Sequence, residues 1–129
     1  MLTPETCIIL FSEKLPNGAD ICAQHLAQYE QILLHTLAGE LVNVPLTALL
    51  QKNTQPDSIR QYCDVIETMW KQGNDAVVNV VEVTILEYLT DDPILWRRFG
   101  EYISEEFKKY INAVCIPENL RYFGAEILK

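Results

Sequence analysis

The chain has 129 residues, 49% of them hydrophobic and 22% charged, and carries a formal net charge of −8. Its length is close to the modal size of one domain, and its composition suits a packed core and excludes a disordered chain. The negative balance excludes nucleic acid and anionic membranes as expected partners, because both repel an acidic surface, and it favours a basic protein.

Thr3-Pro4-Glu5 reads as a helix start, with a hydroxyl cap, proline at the first position and an acid at the positive end of the dipole. That helix is expected to run to about Lys14, where Leu15-Pro16-Asn17-Gly18 makes a turn. From Asp20 to Ala38 the apolar positions Ile21, Leu26, Tyr29, Leu33 and Leu37 fall at helical spacing, and Gly39 reads as the stop. Pro45 to Leu50 suits a short helix, and the polar run from Asn53 to Asp57 suits a loop.

The clearest amphipathic stripe is Ile59, Tyr62, Cys63, Ile66, Met69 and Trp70, which predicts a helix from Asp57 to Gln72 ended by Gly73. Asn74 caps the next segment, Asp75 to Leu89. Its valines favour strand, yet fifteen residues without a turn signal favour helix, and helix is the reading adopted. Apolar residues reach most of its circumference, so it is expected at the centre. Asp92 and Pro93 then cap and open a last long helix to Ala113, with Leu95, Phe99, Ile103, Phe107 and Ile111 on one face and Glu105 placed to pair with Lys109. Ile66, Trp70, Phe99 and Ile103 are expected to be buried. A terminal helical turn is expected between Asn119 and Lys129. The resulting class is all-α, a single domain over residues 1–129, arranged as one compact bundle of five to six helices.

No residue pattern brings chemistry with it. His25 and His35 lie ten apart on what reads as one helix and cannot chelate one metal from adjacent turns. Asp91, Asp92 and Glu87 lack calcium-loop spacing and suit helix capping. Glu82 and Glu87 diverge by about 140° on a helix, which suits a solvated or partner-facing edge better than an acid–base pair. Cys63 belongs to the core stripe. Trp96-Arg97-Arg98 follows the helix start, where the dipole disfavours cations, so its arginines are expected to pair with Asp91, Asp92 and Glu101.

The four cysteines, at 7, 22, 63 and 115, are widely separated and beside apolar residues, which suits buried reduced thiols. The first residues carry no basic region before an apolar run, and no run approaches the ~20 apolar residues of a membrane span. The cytoplasm is the expected compartment.

Ten acids and three bases lie between Asp64 and Glu106, a local net of −7. Glu82, Glu87, Asp91, Asp92, Glu101 and Glu105 are the expected partner-binding residues. No metal, cofactor or catalytic residue is expected.

The stretch from Asn79 to Ile111 contains Glu87-Tyr88-Leu89, the acidic break Asp91-Asp92, and Trp96-Arg97-Arg98-Phe99-Gly100-Glu101-Tyr102-Ile103-Ser104. It resembles a family of small, acidic, mostly helical bacterial proteins of the toxin-immunity type. The resemblance implies stoichiometric binding of a cognate toxin, without turnover. A helical adaptor or regulatory subunit, and more remotely a small enzyme with a helical cleft, are the competing readings.

Overall fold

Thr3 and Thr6 cap the first helix reciprocally: the Thr6 amide donates to Thr3 Oγ1 at 3.3 Å, and the Thr3 amide donates to Thr6 Oγ1 at 2.7 Å. The computed structural model describes residues 1–114, and seven helices account for most of them. They are α1 (Pro4–Lys14), α2 (Gly18–Tyr29), α3 (residues 34–52), α4 (Pro56–Gln72), α5 (residues 75–89), α6 (Pro93–Gly100) and α7 (Glu105–Val114). Helices α3 and α5 are continuous but each contains a widened π-type segment, Gly39–Asn43 in the first and Val81–Leu86 in the second. No strand occurs among the described residues. Their one extended pairing joins Leu2 to Gly73, with the Asn74 amide donating to the Leu2 carbonyl at 2.8 Å.

The all-α class is as expected; the described residues form seven helices where five to six were expected. Two long helices read from the sequence are broken in the structure. The first, 20–38, ends at Tyr29, because Glu30 adopts a left-handed conformation at φ 58°. The Leu33 amide then donates to His25 Nε2 at 2.9 Å, so a buried side chain holds the turn. His25 and His35 therefore lie on different helices. Gly39 does not stop a helix; with φ −58° it sits within α3, which continues through Pro45 to Lys52.

The second break divides 93–113. The Glu67 carboxylate accepts from both the amide (3.0 Å) and the hydroxyl of Ser104, and Ser104 Oγ accepts from the Phe107 amide at 3.1 Å. Ser104 thus opens a new helix, and the bend brings Phe107 and Tyr110 onto Trp70, with ring centroids 4.7 and 5.0 Å apart. Trp70 is consequently half-buried within that stack, whereas Ile66, Phe99 and Ile103 are buried as expected. The terminal turn expected at 119–129 lies outside the described residues.

Helix α5 occupies the centre. Val77, Val80, Val81, Ile85, Leu86 and Leu89 are all buried on it, and it packs against both α3 and α4. The two widened segments touch each other, and Asn43 crosses between them, its Nδ2 donating to the Ile85 carbonyl at 3.2 Å.

Two glycines are expected to respond oppositely to alanine. At Gly18 a Cβ would lie 1.9 Å from the Phe11 carbonyl oxygen, where α2 meets α1, so Gly18→Ala should lose about 1–3 kcal/mol. At Gly39 a Cβ meets nothing within 4 Å and φ is helical, so Gly39→Ala should gain about 0.5–1 kcal/mol. Urea denaturation of both variants checks this, and a neutral Gly18→Ala would contradict the α1–α2 contact described.

Candidate protein-binding face

The expected binding residues fall into two sets. Glu87 and Asp91 are exposed at the end of α5 and in the turn after it, and Glu101 is exposed just beyond α6. Exposed apolar side chains accompany them: Val83 (50%), Tyr88 (51%) and Ile94 (61%). The other three acids are engaged with the protein itself. Asp92 is half-buried and caps α6, its Oδ1 accepting from the amides of Ile94 at 2.9 Å and Leu95 at 3.4 Å. Glu82 is half-buried and accepts from the Tyr110 hydroxyl, which ties α5 to α7. Glu105 accepts from Lys108 Nζ at 3.0 Å, so its partner is Lys108 and not the expected Lys109. Acids outside the expected set matter as well: Glu67 holds Ser104, and Glu106 lies 3.1 Å from Lys71 Nζ.

The arginines depart from expectation for a definable reason. Helix α6 ends at Gly100, so Arg97 and Arg98 occupy its last turn, the end the dipole favours for cations. Arg98 Nη1 donates to two carbonyls at the end of α3, Leu50 at 2.7 Å and Gln51 at 3.1 Å, in place of the expected acids. Arg97 is exposed and has no ion pair among the described residues. With Asn53, Pro93, Ile94 and Glu101 the two arginines line a hollow of about 270 Å³. A second cleft, of about 470 Å³, lies between the α1–α2 turn, α3 and α4, with Ile21, Leu41, Pro45 and Leu49 along its walls and Tyr62 also lining it.

Among the described residues no group of three or more His, Cys, Asp or Glu side chains converges on a possible metal position. His35 Nδ1 lies 2.5 Å from Thr84 Oγ1, which joins α3 to α5 on an exposed edge. No helix among these residues is long and apolar enough to cross a membrane. Cys7, Cys22 and Cys63 are buried and free, and Cys115 lies outside the described residues. Burial, with Glu5 adding to it, pushes the Cys7 thiol up to about 11. Burial also pushes up Cys63, reinforced by Glu67 and Asp64, and Cys22, where a bond from Ser12 opposes it.

A family profile described as a domain of unknown function, DUF7674, matches residues 8–116, and the chain belongs to that family. No curated protein and no solved structure matches it at a significant level.

The raised thiols give a signed prediction. Above the ordinary thiol pKa of 9.0 the unfolded chain's thiols ionise while the buried ones stay protonated, so the folded state binds more protons and rising pH favours unfolding. The stabilisation is full below about 9 and is lost as pH rises towards about 11. Denaturation midpoints should fall across that window. In the native state at pH 8 an aromatic disulfide reagent should label Cys7 and Cys63 only at the rate of unfolding; rapid labelling of either in buffer would contradict the burial.

Proposed function

We propose that this member of the DUF7674 family is a non-enzymatic binding protein, a cytoplasmic immunity protein that neutralises a cognate bacterial toxin by stoichiometric contact through its acidic face. The observation that carries the reading is the mixture of exposed carboxylates and exposed apolar side chains from Val83 to Glu101. Along the chain, Glu87, Asp91 and Glu101 flank Tyr88 and Ile94, both more than half exposed. Apolar anchors with a charged rim are the anatomy of a transient protein interface. The negative field speeds the encounter with a basic partner, and the anchors supply the area removed from water on docking.

The structure separates the acids that can be tested from those that cannot. Reversing Asp92 removes a helix cap, and reversing Glu82 breaks its bond with Tyr110, so either would confuse binding with folding. Glu87, Asp91 and Glu101 are exposed and free of such roles in their side chains. With a partner captured from the native host and identified by mass spectrometry, three results are expected. The partner is basic and toxic when produced alone, co-production of this chain at equal level restores growth, and association slows steeply between low and physiological salt. Glu87→Lys, Asp91→Lys and Glu101→Lys should each cost about 1 kcal/mol or less, mostly in the association rate. A salt-independent rate together with unchanged binding by the triple reversal would remove the acidic face from the mechanism. A non-toxic partner would turn the reading to an adaptor.

A further inference from the structure

We propose that the hollow beside α6 is a carboxylate-binding site, in which Arg97 and Arg98 receive an acidic side chain or a chain end of a partner protein. The site is a local exception in a chain with eight more acids than bases, since two guanidiniums line one hollow of about 270 Å³. It stands whether or not the partner is a toxin.

Arg98 is already positioned. Its Nη1 spends its two N–H groups on the Leu50 and Gln51 carbonyls, which fixes the guanidinium against the end of α3 and leaves the Nη2 and Nε donors for a ligand. Ordering a long side chain is a main cost of such recognition, and here the fold has ordered it beforehand. Arg97 supplies the other half of the clamp. It is exposed, and no carboxylate lies within ion-pair distance of it among the described residues. Glu101, four residues on, lies beyond the end of α6 and is not within ion-pair distance of Arg97. Asn53, held at φ 52° where α3 ends, adds an amide to the lining. Pro93 and the exposed Ile94 offer an apolar shelf for the carbon stem behind the carboxylate.

The charge of the lining chooses the ligand. Two guanidiniums and the Glu101 carboxylate leave one net positive charge, which a single carboxylate neutralises. A phosphate dianion overfills it beside Glu101 and inside an already negative field. Planar carboxylate also matches the guanidinium fork in two-point geometry.

The test uses the full chain, labelled with nitrogen-15, and follows the arginine Nε–H signals by NMR. Three probes are titrated at constant ionic strength: N-acetylglycine as a chain end, N-acetylglutamate N-methylamide as an acidic side chain, and inorganic phosphate. Saturable shifts at Arg97 and Arg98 in the millimolar range are expected for at least one carboxylate, with phosphate several-fold weaker. The better of the two carboxylates identifies the source. Arg97→Gln, at an exposed position, should keep the fold and weaken binding by about tenfold. Absence of saturable shifts, phosphate binding tighter than both carboxylates, or affinity unchanged in Arg97→Gln would each overturn the proposal. Because no partner is needed, these outcomes do not depend on the immunity reading.

Discussion

Helix α5 carries apolar side chains around most of its circumference, and the packing of its neighbours follows from covering them. Six of its apolar side chains, from Val77 to Leu89, are buried. Four of the six are β-branched, which crowds a regular α-helix, and the widened segment Val81–Leu86 lies within this run. Helices α3 and α4 pack against it, and α3 meets it with a widened segment of its own. Asn43 fixes the register of that contact. Its amide is 2% exposed and donates to the Ile85 carbonyl, so sliding α3 by one turn would leave a polar group in the core without a partner. The Oδ1 atom has no partner among the described residues, so the tie is not fully satisfied even in place.

Helix boundaries with a local cause were legible in the residues themselves, including the ends at Lys14, Gln72 and Leu89; the breaks made by distant contacts were not. Thr3, Asn74 and Asp92 all cap where their side chains predict, since a cap is a contact between neighbours in sequence. The stripe from Ile59 to Met69 places α4 within a residue of its expected start for a similar reason. The breaks at Glu30 and Ser104 have no such local cause. Glu30 adopts a left-handed conformation that its side chain does not favour, and His25 secures the turn from eight residues away. Ser104 is held by Glu67, thirty-seven residues earlier. Gly39 illustrates the opposite error: a glycine that reads as a terminator lies inside a helix with open space around it.

The candidate site was legible as a count of charges and not as an arrangement. The excess of acids between Asp64 and Glu106 is plain in the sequence, yet Glu82, Asp92 and Glu105 are drawn into a tie, a cap and an ion pair that tertiary structure supplies. The arginines show how a misjudged boundary propagates. Read as part of a helix reaching Ala113, Arg97 and Arg98 sit near the unfavourable end of the dipole and call for acidic partners. In the short helix that forms, the same residues lie in the last turn, where no compensation is required, and Arg98 reaches the carbonyls ending α3. The exposed anchors Val83, Tyr88 and Ile94 gave no signal, because their helical positions do not reveal which face stays uncovered.

On the proposed reading, the acidic field and the arginine hollow act over different ranges. Screening confines the field to about 8 Å at physiological salt, which suffices to orient a basic partner before contact and to change how often encounters succeed. The exposed apolar side chains act only after contact, when water leaves, and they govern how long the complex lasts. The hollow acts last and most selectively. A guanidinium fixed by Leu50 and Gln51 cannot turn aside to accommodate a partner lacking a carboxylate at that position. Such a partner would cover Arg97 and Arg98 without neutralising them, and the uncompensated desolvation of a charge costs more than a missing contact. On the proposed reading, attraction to basic proteins is therefore general, while retention depends on one acidic group in the right place.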